Sequence, residues 1–595
     1  MENGRGLVEL CIEAAASSSE SVEKWRRQRR TLERLPSQLA DAVLRRLRRA
    51  RLLFPSLLEV FQHSVEEVDL NGENSVDAEW MTYLGAFRYL RSLLIADCKN
   101  ISSASLWPLS GLSSLKELDL SRCSKITDAG IKHLLSISNL EKLWVSETGL
   151  TSDGVMLLSA LANLRVLDLG GIPVTDKALY SLQVLTNLEY LDIWGSDISN
   201  IGASTLENFS RLSCLNVAWT KVTRLPNVSS LTCLNMSNCT IYPLSGEGRS
   251  SALLSKLTVT GATFADVDNA FSNIQSGLIT FLDMSYTNIE RFNFMLNMKC
   301  LQHLDLRYSK ITDGLMEQVA SVGESLRYLN LNSTRITLQA LHKLVGRVPN
   351  LETLALSHTV IDDSSLAYIS MMPSVKVLDL SHTRIRGFIE PGRGNVHRAF
   401  SLGALQNLTD LKSLNLEDTQ LKDEALQSLS VLNKLECLYL KSDFLTDISL
   451  YPISFLQKLR FLGVRNAVLT ENGLLSYMPP PQLRVFDLRG CWLLSVKAIS
   501  SFGKKHPQIE LRHEHALIPF VDQNACSAPF SSLRSTKTSI SRPKTVRSTQ
   551  ASITDERIQY SREELLQLES SPRSSYTMKD VDLLPDILRK NDLSI

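Results

Sequence analysis

One apolar phrase, Leu-x-x-Leu-x-Leu, is written repeatedly from about residue 65 to about residue 511. Leu115-Lys116-Glu117-Leu118-Asp119-Leu120 and Leu326-Arg327-Tyr328-Leu329-Asn330-Leu331 are two clean copies. The opening apolar position falls on Val65, Leu90, Leu115, Leu140 and Leu164, and recurs as far as Leu483, with a frayed last copy near His506. Most gaps are 24 or 25 residues. A unit this short cannot bury its own apolar edge, so successive units must stack on one another. That overrides the prior of about four globular domains that length alone suggests.

Within each copy the Leu-x-Leu segment alternates with period two, the pattern of a short strand with one buried face. The stretch that follows, such as Asp128-Ala129-Gly130-Ile131-Lys132-His133-Leu134-Leu135, shifts to helical spacing, and Thr127-Asp128 is placed to cap that helix. Period and pattern resemble leucine-rich repeats. The expected fold is α/β: a leucine-rich-repeat solenoid, or horseshoe, with a parallel sheet on its concave face, a helical N-terminal cap and a disordered C-terminal tail. The expected parts are residues 1–64 (cap), 65–512 (solenoid), 513–530 (C-terminal cap, using Leu517, Ile518, Pro519 and Phe520) and 531–595 (tail). Two gaps break the period. Leu212 to Leu231 spans only 19 residues and contains Leu225-Pro226, which predicts an extended or 3₁₀ outer segment. Val375 to Leu411 spans 36, and the excess, 387–401, is either a projection that touches a partner or a loop without a role.

The net charge of +1 implies no global attraction to nucleic acid or membrane. No run of about 18 apolar residues could span a bilayer, and Glu2, Glu9 and Glu13 interrupt any signal-like start. Cys98, Cys123, Cys239 and Cys491 stand in or near the turn after the strand, and Cys214, Cys300 and Cys437 are scattered among strand segments. Free thiols spread through a core fit a reducing compartment. The expected location is therefore cytoplasmic, with a nuclear address open through the basic run Lys24 to Arg30 and Arg45 to Arg51. The plainer reading of that run is a solvated helix face, with Arg45, Arg48 and Arg49 opposite Leu44, Leu47 and Leu52.

No phosphate-cradling, zinc-protease, nucleophile-elbow or Cys-x-x-Cys motif is present, and His513-Glu514-His515 alone makes no site. The reading is therefore a non-enzyme with no cofactor and no metal. Near the N-terminus, Leu7, Cys11 and Ala15 stand at i, i+4 and i+8, with Leu10 beside them on one helix face. Leu35, Leu39 and Val43 form a second stripe, with Pro36 favourable at its helix start. Together these resemble a von Hippel–Lindau box. Leu7, Cys11 and Ala15 match its elongin-binding half; Leu35, Pro36 and Leu39 match the start of its cullin box. Gly6 departs from the Ser, Thr or Pro usual before the leucine. This box followed by leucine-rich repeats is similar to the zyg-eleven family of cullin–RING ubiquitin-ligase substrate receptors. That family's armadillo-like domain has no counterpart in these residues, so its degron specificity is not carried over. Leu35-Pro36 followed by Leu39, Val43, Leu44 and Leu47 also fits an F-box start, which implies a Skp-type adaptor instead.

The concave face is expected to bind a protein. Its central strand position is Asp at Asp119, Asp168, Asp192 and Asp305 among others, and Asn at Asn216, Asn235, Asn330 and Asn415. This ladder reads as solvated polarity. Trp144, Tyr190, Trp194, His303, Tyr328, Tyr439 and Phe461 lie beside it, and Lys441, Arg465 and Arg489 add charge near the C-terminal end. Such a surface suits a basic or aromatic-rich polypeptide anchored by buried rings and disfavours nucleic acid. The tail is too polar to fold alone, and Ser571-Pro572 is a candidate phosphorylation site. The reading is a protein-interaction scaffold serving as substrate receptor of a cullin–RING ligase. The alternative is a scaffold with no ligase link, whose residues 1–64 only shield the first repeat.

Overall fold

The computed structural model describes residues 7–27, 35–242, 252–272, 274–389 and 399–514. Residues 515–530 of the expected closing segment 513–530, the tail with Ser571, and Arg29 and Arg30 of the basic run lie outside the described residues. The chain forms two compact units, Met1–Asp410 and Leu411–Ile595. Both are leucine-rich-repeat solenoids built on parallel sheets. In the first, three-residue strands pair in register from Glu67–Asp69 through Glu117–Asp119, Tyr190–Asp192 and His303–Asp305 to Val377–Asp379. In the second, Ser413–Glu417, Cys437–Lys441, Phe461–Arg465, Val485–Asp487 and Glu510–Arg512 do the same.

The repeat's leucines explain the stacking. Leu115, Leu118 and Leu120 are fully buried, as are Leu326, Leu329 and Leu331 in a later coil. At about 25 cal/mol per Å² of apolar area, each such side chain contributes roughly 1.5–3 kcal/mol, and only against its neighbours. The turn cysteines serve the same core: Cys98, Cys123, Cys239 and Cys491 are buried, and their thiols donate to Leu70, Ile95, Val217 and Val464 carbonyls at 3.1–3.3 Å. Cys300, by contrast, is exposed and precedes its strand.

The outer segments are mixed. Asp128–Leu134 and Leu338–Leu344 are α-helical, whereas Ser103–Gly111 is 3₁₀ and contains Pro108. Proline removes an intrahelical donor, and Pro108 packs where a side chain on Gly85 would have to sit. The short repeat has no outer helix between Cys214–Asn216 and Cys233–Asn235, as its Pro226 predicted. Thr127 occupies the expected cap position, but its side chain makes no cap bond; it pairs at 3.0 Å with the Ser103 hydroxyl of the preceding coil. Asp128 instead reaches the next coil, accepting the Thr151 N–H at 2.9 Å and its hydroxyl at 2.6 Å. Asp176 with Ser199, Asp313 with Thr337 and Asp423 with Thr446 repeat this staple. The long gap opens with a strand pair, Phe388–Ile389 against Ala399–Phe400, antiparallel. Asp363 ties its base to the solenoid through the Gly387 N–H and the Ser401 hydroxyl; residues 390–398 lie outside the described residues.

The N-terminal region forms helices α1 (Leu7–Ala15), α2 (Ser19–Arg26) and α3 (Ser37–Arg49). Helix α3 covers the first coil. Asp41, buried there, accepts the Glu66 and Glu67 N–H groups at 3.2 and 3.4 Å. Arg48 does not join Arg45 and Arg49 on a solvated face. It turns inward, donating to the Asp69 and Asn71 carbonyls at 2.9 and 2.8 Å and pairing with the Asp69 carboxylate at 2.7 Å. Those carbonyls have no further strand to pair with, and a guanidinium satisfies them where another coil cannot.

Candidate functional site

Two surfaces carry the residues that the sequence singles out, and a third stands beside them. On α1, Val8 and Leu10 are 55% and 48% exposed and Cys11 is exposed, while the helix packs on α3 and Ala16 is buried. Ala15 is half-buried, and the Leu7 side chain lies outside the described residues. On α3, Leu35 and Leu39 are half-buried and Pro36 is exposed, so this stripe is shared between the cap's own packing and solvent.

The second surface is the open face of the sheets. Register places Asp119, Trp144, Asp168, Asp192 and Asn216 on adjacent rungs of one central column. Trp144 therefore stands on the ladder itself, and so does Tyr439 in the second unit; Tyr190, His303, Tyr328 and Phe461 occupy the flanking column. The Asp/Asn residues have a structural task that the sequence reading took for solvation. In each, one oxygen accepts the backbone N–H two residues on: Asp119 from Ser121 at 2.9 Å, Asp168 from Gly170 at 2.9 Å, Asp192 from Trp194 at 3.0 Å, Asp305 from Arg307 at 3.0 Å and Asn330 from Asn332 at 3.0 Å. This is the Asx turn that sends the chain out of the strand.

The second oxygens form a network. Ser146 donates to Asp168 at 2.9 Å, Asn216 to Asp192 at 2.8 Å and the Tyr190 hydroxyl to Asp192 at 3.4 Å. Burial, then the neighbouring Asp168 charge, push the Asp192 carboxyl up to about 7. Burial alone dominates the rise of Asp305 to about 6. The Trp194 indole lies over Gly170, whose missing side chain makes the room.

Farther along the flanking column, His303 is stacked between Phe281 at 4.1 Å and Tyr328 at 3.9 Å, with Lys256 over the Phe281 ring at 4.7 Å. Burial first, then Lys256 and Arg307, lower His303 to about 3, so this imidazole stays neutral and acts as a ring. Cys214 and Cys233 face each other across paired strands. Their thiols hydrogen-bond, and that bond is the largest cause lowering Cys233 to about 6.

In the second unit the expected cations are already engaged. Arg465 bridges Glu417 at 3.1 Å and Asp487 at 2.7 Å, and Arg489 pairs with Asp487 at 2.6 Å. Burial would raise the Asp487 carboxyl, but Arg489 and Arg465 outweigh it and hold it below its ordinary value. Phe461 is buried with Cys437 and Val485, and Tyr439 packs on that cluster.

The third surface was missed. Two residues beyond the last apolar side chain of most strands, the backbone adopts the left-handed conformation, so that its N–H reaches a carbonyl of the next coil. Gly171, Gly195, Asn238 and Gly261 take this position where it costs least, while Asp97, Arg122, Glu147 and Trp219 take it on other coils. The same position holds Tyr286, Tyr308, Ser333, His358 and His382 on five consecutive coils. Tyr286 and Tyr308 are 53% and 51% exposed and stacked at 4.4 Å; His358 and His382, also exposed, are stacked at 3.9 Å. The signal was present as a fixed offset, Met284 to Tyr286, Leu306 to Tyr308, Leu356 to His358 and Leu380 to His382, but only the turn's dihedral angle shows that an aromatic ring is the costly choice there.

Among the described residues no three His, Cys, Asp or Glu side chains gather as metal ligands, and no helix is long and apolar enough to cross a membrane. A leucine-rich-repeat-region family model matches residues 143–401, and a second leucine-rich-repeat model matches 111–135 and 407–430. No curated protein matches significantly. Among solved structures, the mouse RP105/MD-1 complex is similar at 18% identity over 77% of this chain and 84% of that one, with a TM-score of 0.50. A Leptospira interrogans leucine-rich-repeat protein is 17% identical over 77% of this chain and 97% of its own, with a TM-score of 0.36. An internalin from Listeria monocytogenes is 22% identical over 55% and 82%, with a TM-score of 0.37.

Proposed function

We propose, from the premise that this chain is a leucine-rich-repeat protein and hence an interaction scaffold, that it is the substrate receptor of a cullin–RING ubiquitin ligase. Helix α1 docks the adaptor and the solenoid holds the protein to be modified. The observation that carries the reading is the division of labour at the N-terminus. Shielding the first coil is done by α3, through Leu44, Leu47, Asp41 and Arg48. Helix α1 packs on α3 and turns Val8, Leu10 and Cys11 to solvent. Clustered exposed apolar side chains on a helix mark a binding face, and a helix-in-groove mode reads such a face at i, i+3, i+4 spacing.

The test is co-purification of the full chain with elongin B/C, against a Skp-type adaptor, using Leu7→Ala and Cys11→Ala. Capture of elongin B/C that both substitutions abolish supports the reading. Capture of neither adaptor leaves the chain a scaffold without a ligase link, with α1 a lid and nothing more. Capture of the Skp-type adaptor alone moves the docking face to α3.

A further inference from the structure

The exposed turn column of the first unit holds the strongest unassigned feature. Its coils advance by one rung each, because every left-handed N–H bonds to the next coil: Tyr286 to Arg307 O, Tyr308 to Asn332 O, Ser333 to Ser357 O and His358 to Ser381 O, at 2.8–3.1 Å. Tyr286 and Tyr308 stack below, and His358 and His382 stack above. Between the two pairs stands Ser333, which brings no ring to its rung.

Parallel rungs are about 4.8 Å apart, so Tyr308 and His358, two rungs apart, are separated by roughly 9–10 Å. A planar ring placed midway would sit about 4.8 Å from each, inside the range of roughly 4.5–7 Å at which aromatic pairs attract. The rim is cationic. Lys310, Arg335 and Arg384 stand two residues past the turn on the rungs of Tyr308, Ser333 and His382, all exposed. Arg335 and Arg384 form no ion pair among the described residues, and Lys310 reaches only Glu290, at 3.8 Å. Arg307, beside the two tyrosines, has a buried Nε with no hydrogen-bond acceptor, its ion pair to Asp305 being long at 3.6 Å. The turn also bears a cost for carrying rings: left-handed backbone at a bulky residue is unfavourable by roughly 1–2 kcal/mol. The same turn carries Arg122, Glu147 and Trp219 on earlier coils, so what sets coils 286 to 382 apart is the pairing of rings on consecutive rungs.

We propose that the rung over Ser333, between the Tyr308 and His358 rings, is a stacking slot for one aromatic side chain of a bound polypeptide, with carboxylates flanking that residue held by Arg335, Arg384 and Arg307. The proposal deepens the scaffold reading and rests on it: it names the chemistry of one partner segment, an aromatic residue set among acids. A polynucleotide is the poorer occupant, because the slot takes a single ring and offers no run of faces on which successive bases could stack.

The experiment is fluorescence anisotropy of the full chain with a labelled Glu₃-Tyr-Glu₃ peptide, a Glu₃-Leu-Glu₃ peptide and an oligo-dT of equal charge. Two stacking contacts worth about 0.5–1.5 kcal/mol each predict that the tyrosine peptide binds about ten-fold tighter than the leucine one. Ser333→Phe, which fills the rung, removes that preference, and Tyr308→Asn, which removes one wall at a residue tolerant of the turn, does the same. Ser333→Asn keeps it. Arg335→Glu weakens both peptides. Equal affinity for the two peptides, an unchanged preference in a folded Ser333→Phe chain, or tighter binding of oligo-dT overturns the proposal. Adaptor capture by α1 is read separately, so loss of the slot and loss of the ligase reading are distinguishable.

Discussion

Two columns of side chains run along the first unit with the same one-per-coil repeat, and they differ in why their residues are there. In the central strand column the residue is mostly Asp or Asn because an oxygen at that point must receive the N–H of the departing turn, as Asp119 does for Ser121 and Asp305 for Arg307. In the turn column the backbone favours Gly or Asn, yet Arg122, Glu147 and Trp219 stand there too, and coils 286 to 382 carry Tyr, Tyr, Ser, His and His, with the rings stacked in pairs. The first column repeats what the fold requires. The second departs from it at an energetic cost. Repetition in a solenoid is therefore evidence of construction, and exposed rings paired on consecutive coils are the better sign of a binding surface.

The comparison breaks most directly at Asp305. Asp305→Ala leaves the Arg307 N–H and the Asn330 amide without their acceptor in a buried site, and thermal or urea unfolding should show a loss of about 2–3 kcal/mol. A loss under 1 kcal/mol would mean that the column is decoration. The next effect is in pH. Asp192 has a folded pKa of about 7, above the ordinary carboxylate value of about 3.9. Between those values the folded state binds more protons than the unfolded one, so Asp192 costs stability progressively as pH rises from about 4 to about 7. His303, lowered to about 3, acts in the opposite sense below its ordinary value. The difference in melting temperature between the wild-type chain and Asp192→Asn, followed from pH 5 to pH 8, isolates the carboxylate. The wild-type chain should lose ground to the variant as pH rises, and a flat difference would refute a buried, raised Asp192.

In the turn column the expected stability effect is smaller. Tyr308→Asn relieves roughly 1–2 kcal/mol of backbone strain and forfeits about 0.5–1.5 kcal/mol of stacking on Tyr286. Its net change in unfolding free energy should lie within about 1 kcal/mol of zero while peptide discrimination disappears. A large destabilisation would place Tyr308 among the residues that hold the fold. Smallest of all is Val8→Asp on α1, exposed and away from the solenoid's core, which should move stability by less than about 0.5 kcal/mol while abolishing adaptor capture. A cooperative loss of structure instead would show α1 to be part of the cap.

The stacking of coils was legible from Leu115, Leu118 and Leu120 and their later counterparts, because a period of 24 or 25 residues with a two-residue alternation at its start has one economical burial solution. The extended outer segment at Pro226 was legible for the same kind of reason: proline's missing donor is a local fact. Which charges stay available was not. Arg48 and Arg465 read as surface cations, and each is engaged by groups that come near only when coils stack: the Asp69 and Asn71 carbonyls in one case, Glu417 and Asp487 in the other. Likewise His303 reads as one ring among several beside the ladder, and only the stacked coils show it packed between two rings of its neighbours. Periodicity is a property of the chain and survives in one dimension. The engagement of a charge, the neutrality of an imidazole and the rung at Ser333 between two ring pairs depend on contacts between residues some 25 positions apart, and those distances exist only once the coils are laid on one another.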